Sequence, residues 1–187
     1  MTDAELLGEA ATPIERPAAG APFDIVFLDR DGTLNVHRPG YIADPAELVL
    51  LPGAAGAVRR CNEAGCVVVL VTNQRGMATG ELSREQLLAV HRRLVEELAA
   101  AGAHLDAIQV CPHQADSCDC RKPRPGLLLR ALDRAGWADP ARCVLVGDQP
   151  SDLQAAAAAG VPSYRVGRER SVLEVVTELV SGTHASV

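Results

Sequence analysis

The stretch Phe23–Asn35, FDIVFLDRDGTLN, joins an apolar run, Ile25–Leu28, to a polar cluster that begins abruptly at Asp29. Four consecutive apolar residues closed by a turn signal read as a strand buried on both faces, the habit of strands in a parallel sheet. Working outward, Val67–Val71, Ala107–Val110 and Val144–Val146 repeat the pattern, and Ser163–Val166 is a candidate fifth strand. Between them, Gly53–Ala64, Ser83–Ala101, Pro125–Ala135 and Ser151–Ala159 have helical composition. Ser83 and Gln86 have capping-box spacing, and Gly65, Gly102, Gly136 and Gly160 stand where helix C-caps are expected. This alternation predicts an α/β fold, a parallel sheet with helices on both faces and ligand chemistry at the strand C-terminal ends. The residues just after the strands are Asp29–Thr33, Thr72–Gln74, Cys111–His113 and Gly147–Asp148, so nearly every polar cluster falls on one edge.

Bulk properties narrow the function. A chain of 187 residues with a formal charge of -6 and a pI near 5.3 lacks the basic face that affinity for a nucleic-acid backbone requires. No apolar run approaches the roughly 20 residues that span a bilayer, and the acidic start lacks the plan of a secretory signal. A cytoplasmic protein acting on a small molecule is expected, with its six cysteines reduced and available for metals or catalysis. Residues 1–21, rich in Ala, Pro and Gly, are expected to form a flexible leader without chemistry, ahead of one domain over residues 22–187.

All but one of the 18 Lys and Arg residues are arginine, so Lys122 stands where a compact ammonium has a purpose that a planar guanidinium cannot serve. Asp29 and Asp31, two residues apart at a strand end with Gly32 allowing a sharp turn, can act as nucleophile and proton donor. A carboxylate attacking phosphorus gives an acyl phosphate that water later cleaves. Gathering anions around a phosphate needs a divalent cation and further positive charge. Asp148 and Asp152 in GDQPSD, with Asp29, offer the oxygen-rich set that Mg²⁺ prefers, and Lys122 supplies an ammonium. Taken alone, DxD is a common capped turn.

In order, DRDGTLN (29–35), TNQRG (72–76), RKPRPG (121–126) and GDQPSD (147–152) make coincidence a poor explanation. In these motifs the chain resembles the haloacid dehalogenase-like phosphatase superfamily over about residues 23–166. The resemblance implies a Rossmann-like sheet without a large cap domain. It also implies that Asp29 is phosphorylated, that Asp31 serves as acid and base and offers its carbonyl to Mg²⁺, and that Asp148 is a metal ligand. Thr72 and Lys122 would hold phosphate oxygens, with Asp152 orienting the metal's water shell.

Within that superfamily the chain is most similar to the heptose bisphosphate and histidinol-phosphate phosphatases, on the strength of CPHQADSCDCRKPRPG (111–126). Cys111, His113, Cys118 and Cys120 form C-x-H-x4-C-x-C, a set suited to a closed, structural Zn²⁺ site in a loop over residues 111–120 that would aim Arg121 and Lys122 at substrate. The resemblance adds Asn73, Gln74 and Arg75 as substrate contacts, with Arg38 and Tyr41 as weaker candidates. The chain departs from the heptose enzymes at Gln149, usually lysine, at Arg75, usually a small serine, and in a short segment between His113 and Cys118.

A heptose 1,7-bisphosphate is the expected substrate, with histidinol phosphate or another small phosphomonoester as the alternative, and a monomer is expected from the open edge. A zinc-stabilised binding module and a polynucleotide 3′-phosphatase are the competing classes, disfavoured by the intact motifs and by net acidity. Cys61, Cys66 and Cys143 read as core packing, and Trp137 as a cap on the core. His91 and His184 read as packing or solvated residues, and Arg92, Arg93, Glu96 and Glu97 as a solvated helix face. Nucleotide-binding and serine-hydrolase motifs are absent.

Overall fold

The computed structural model describes residues 1–17 and 19–182, so His184 lies outside the described residues. The elements run α1 (Asp3–Leu6), β1 (Ile25–Leu28), α2 (Ala54–Glu63), β2 (Val67–Asn73), α3 (Gly76–Thr79), α4 (Arg84–Ala100), β3 (Ala107–Cys111), α5 (Gly126–Arg134), β4 (Val144–Gly147), α6 (Pro150–Ala158), β5 (Ser163–Arg165) and α7 (Val172–Ser181). The five strands are parallel in the order β3-β2-β1-β4-β5. All five expected strands form, with ends within two residues of those read from sequence.

Side chains alternate across the sheet, so each strand feeds two cores. Val26, Leu28, Val68, Leu70, Val144 and Val146 pack under α2, α4 and α7, whereas Ile25, Phe27, Val67, Val69 and Leu145 pack under α5 and α6. This is why β1 is apolar at every position, and why truncating Leu70 to alanine is expected to cost about 2–5 kcal/mol. Ser83 and Gln86 form the expected capping box of α4. Gly65, Gly102 and Gly160 have positive φ at helix ends, but Gly136 does not; α5 closes one residue earlier, at Ala135. Helix α7, not assigned from sequence, buries Val172, Val175, Val176 and Leu179, a helical spacing, and starts with a Ser171–Glu174 capping box.

The expectation of a loose leader is corrected. Thr2 and Glu5 cap α1, Leu6 and Leu7 enter one core, and Ile14 enters the other. The segment therefore crosses the edge of β3, the outermost strand on that side. A Cβ on Gly8 would lie 2.5 Å from the Val110 nitrogen, which shows how closely the backbones approach. Ion pairs from Arg92 to Asp3 (2.6 Å) and Arg84 to Glu9 (2.7 Å), and the bond from Trp137 Nε1 to the Ile14 carbonyl (2.8 Å), fasten it. Covering an edge strand shields its backbone from pairing with another chain, and burial of Leu6, Leu7 and Ile14 gives an Ala- and Pro-rich segment a reason to pack there.

The chain runs from β1 out to β3, then returns to place β4 on the other side of β1. The crevice at this switch, beyond the strand C-termini, is where ligands bind in such sheets. No separate cap domain is present among the described residues. The loop between β1 and α2 instead folds over the crevice, lining it with His37, Arg38, Tyr41 and Ile42.

Candidate active site

At the β1–β4 switch lies a cavity of about 250 Å³. Asp29, at the end of β1, is 7% exposed and receives a 2.5 Å bond from Lys122 Nζ. The same ammonium donates to the Val71 carbonyl at 2.8 Å and pairs with Asp152 at 2.6 Å. All three ammonium protons thus have acceptors in a space that a guanidinium fork would not fit. Burial pushes Asp29 up to about 7; the Lys122 charge opposes this and the Asp152 charge adds to it. Burial also works against the Lys122 ammonium, but the two carboxylates outweigh it and hold its pKa above the ordinary value.

Lys122 comes from a loop, and its backbone is held by a side chain of β2. The Asn73 amide donates to the Lys122 carbonyl and accepts from its N–H, both at 3.1 Å. Asn73 lines the cavity, yet both ends of its amide are already committed to placing Lys122, which narrows the expected contact with substrate.

Asp31 is gripped from several sides. Arg30 Nη2 reaches its two oxygens at 3.0 and 2.8 Å, Asn35 donates at 2.9 Å, and Gln74 Nε2 at 3.1 Å while also donating to Thr72 Oγ1 at 2.9 Å. Burial alone would raise this carboxyl, but the Arg30 charge and the donors outweigh it, so Asp31 sits below the usual carboxylate range. Gln74 is therefore bound to the acid–base candidate and to the phosphate-holding candidate Thr72, a second narrowing of an expected substrate contact. Arg30 and Asn35 were not singled out in the sequence.

Asp29, Asp148 and Asp152 bring carboxylate oxygens within 4.8 Å of one another. Both Asp152 oxygens have protein partners, Lys122 for one and the Gln149 N–H (3.0 Å) for the other. Asp148 Oδ2 accepts from the Gln149 side chain, but its buried Oδ1 has no partner among the described residues. An orphaned carboxylate oxygen beside two more acids fits a hard divalent cation. Burial raises the Asp148 pKa, with the Asp152 charge adding to it. Two glycines make the approach possible: a Cβ on Gly32 would lie 2.4 Å from an Asp148 oxygen, and one on Gly147 2.5 Å from an Asp152 oxygen. Asp31 turns its side chain toward Arg30, Asn35 and Gln74 and does not join the other three carboxylates.

The second ligand set is assembled within one loop. Cys111 lies 3.6 Å from Cys118, Cys118 lies 3.3 Å from Cys120, and His113 Nδ1 lies 3.2 Å from Cys120 and 3.8 Å from Cys111. A tetrahedral Zn²⁺ with bonds near 2.3 Å to sulfur sets donor separations of about 3.7 Å, so the four atoms already stand close to the corners needed. The loop ends on Arg121, which lines the cavity and whose buried Nη1 has no partner among the described residues. Arg75 does not line the cavity; its Nε donates to Tyr41 Oη at 3.2 Å, which puts it behind a lining residue. Arg38, Tyr41 and, unanticipated, His37 do line it.

Cys61, Cys66 and Cys143 are buried in the core as expected. Arg93 pairs locally with Glu97 (2.6 Å), but Arg92 reaches the amino-terminal segment rather than its own helix. No helix among the described residues is long and apolar enough to cross a membrane.

The haloacid dehalogenase-like hydrolase family matches residues 19–160. The chain is 36% identical over 185 residues, 95% of this chain and 98% of the other, to the D-glycero-beta-D-manno-heptose-1,7-bisphosphate 7-phosphatase of Rhodopseudomonas palustris. It is 40% identical over 149 residues, 76% of this chain and 78% of the other, to the corresponding alpha enzyme of Mycobacterium tuberculosis. Its structure is similar to that of the D,D-heptose 1,7-bisphosphate phosphatase of B. bronchiseptica complexed with magnesium and phosphate, with a TM-score of 0.79 and 35% identity over 84% of this chain and 98% of that one.

Proposed function

The chain belongs to the haloacid dehalogenase-like hydrolase family, and from that premise we propose that it removes the 7-phosphate of a D-glycero-D-manno-heptose 1,7-bisphosphate through a phosphorylated Asp29. The observation that carries the reading is the buried Asp29 carboxylate, bonded to Lys122 and within 4.8 Å of the Asp148 and Asp152 oxygens at the sheet's switch point. The names of relatives that align with 95% and 76% of the chain support the substrate.

In the first step an Asp29 oxygen attacks phosphorus, and the bond to the sugar oxygen breaks. That oxygen leaves with a proton from Asp31. The ionised, clamped Asp31 must first gain this proton, which the negative phosphate beside it favours. In the second step Asp31, again a carboxylate, takes a proton from water as the water oxygen attacks phosphorus. Inorganic phosphate departs and Asp29 is restored. Thr72 holds a non-bridging oxygen, Lys122 reaches another by giving up one of its three resting acceptors, and Arg121 has a donor without a partner among the described residues for the substrate. Asp29, Asp148 and the Asp31 carbonyl would hold Mg²⁺, with Asp152 behind them; when bound, the ion offsets the charge that gathers on the transferring group. Cys111, His113, Cys118 and Cys120 would hold Zn²⁺, stiffening the loop that carries Arg121 and Lys122. Six free cysteines, three of them in this ligand set, suit a reducing compartment, so the reading extends to a cytoplasmic enzyme acting as a monomer on its open crevice.

Phosphate release from both anomers of heptose 1,7-bisphosphate, from heptose 1-phosphate and from histidinol phosphate tests the reading. The bisphosphates are expected to give the highest kcat/KM and to yield heptose 1-phosphate. Preference for histidinol phosphate would overturn the sugar assignment and leave the chemistry standing.

A further inference from the structure

Arg30 and His91 take no part in the steps above, yet they form a buried line from the acid–base carboxylate to the amino-terminal segment. Arg30 is 1% exposed and His91 is fully buried. Arg30 grips Asp31 with Nη2, and its Nη1 meets His91 Nε2 at 3.1 Å. A guanidinium has only donors, so His91 Nε2 must accept. The imidazole proton then sits on Nδ1, which donates to the Leu6 carbonyl at 2.6 Å. Three contacts in series, each with its donor fixed, thus tie Asp31 to the backbone at the end of α1. Arg30 Nε has no partner among the described residues, so the guanidinium is held by Asp31 at one end and His91 at the other. The anchor itself is firm, because Leu6 and Leu7 are buried and Asp3 pairs with Arg92.

We propose that Arg30 and His91 are positioning residues for proton transfer by Asp31, with the Leu6 carbonyl as their fixed point. The proposal rests on the acid–base role given to Asp31 above. Proton transfer requires the acid within hydrogen-bond reach of the leaving oxygen, so loosening the guanidinium harms that step and spares one that needs no proton. A sugar alkoxide must be protonated as it leaves; p-nitrophenolate need not be.

The test compares kcat/KM, which reports the chemistry up to loss of the leaving group, for heptose 1,7-bisphosphate and p-nitrophenyl phosphate. In His91→Phe, which keeps a ring and removes both bonds, the sugar phosphate is expected to lose roughly tenfold or more, and the aryl phosphate less than about threefold. His91→Gln, whose amide can accept from Arg30 and donate to Leu6, is expected to stay within about threefold of wild type on both. Equal losses on the two substrates in His91→Phe, or no loss on either, would overturn the proposal. Nitrogen-15 NMR of the wild-type protein provides a check that does not depend on a variant folding: His91 is expected as the neutral tautomer with its proton on Nδ1, and a proton on Nε2 would contradict the link. Wild-type protein inert on both substrates would sink the phosphatase reading instead, and the tautomer would still judge the link.

Discussion

The chain gathers two sets of side chains suited to metal ions by opposite routes. Asp29 and Asp148 stand 119 positions apart in the sequence, at the ends of strands that meet only once the sheet has formed, whereas Cys111, His113, Cys118 and Cys120 share ten residues of one loop. The carboxylates are hard donors with one oxygen left unpartnered, suited to an ion that reacts with what enters the cavity. The thiols and imidazole form a closed soft set with no place left for a substrate. One set depends on the fold, and the other, once it holds the proposed Zn²⁺, would hold part of the fold in place. They meet at Cys120–Lys122, where the last soft ligand is followed two residues later by the ammonium that faces Asp29.

That junction is where the comparison is most easily broken. Lys122→Ala leaves the Asp29 and Asp152 carboxylates buried without their cation. The expected cost is about 3–5 kcal/mol of stability in the metal-free protein together with loss of turnover, read by denaturant titration and phosphate release. The next effect separates the two sets. EDTA is expected to abolish turnover and added Mg²⁺ to restore it, and Asp148→Ala to lower kcat about 10²–10³-fold with the loop's metal content unchanged. Cys118→Ser is expected to do the converse, releasing zinc by elemental analysis and lowering stability by about 2 kcal/mol or more while Mg²⁺ still supports turnover. Normal zinc content in that variant would refute the cage.

A further effect, spread over a range of pH, belongs to neither set. His91 has its pKa pushed down to about 3 by burial, with the Arg30 charge adding to it, against an ordinary value of 6.5. Between those values the unfolded chain binds a proton that the folded one does not, so its contribution to stability is present above pH 6.5 and is lost as pH falls toward 3. Wild type is expected to lose about 1.4 kcal/mol per pH unit across that window in excess of His91→Phe, measured by urea unfolding.

What the sequence made legible follows the same division. The strands and the polar clusters at their ends are local patterns, and C-x-H-x4-C-x-C is a local spacing, so all of these could be read one stretch at a time. The amide of Asn73 is different, because it faces Lys122 only after β2 and a loop 49 residues away have packed together. Nothing local links Arg30 and His91, 61 positions apart, until α4 lies against the β1 turn. The amino-terminal segment has no periodicity of its own, and its order comes from the strand edge that it covers. Helix α7 did carry a readable signal, the spacing of Val172, Val175, Val176 and Leu179 after a Ser171–Glu174 cap.

Rapid acid quenching during turnover of phosphate-labelled substrate, followed by peptide mapping, tests the Asp29 assignment most directly. The account predicts a hydroxylamine-labile phosphate on the peptide carrying Asp29, and neither label nor turnover in Asp29→Asn. Unlabelled Asp29 in an enzyme caught turning over, or an Asp29→Asn variant working at the wild-type rate, would contradict it.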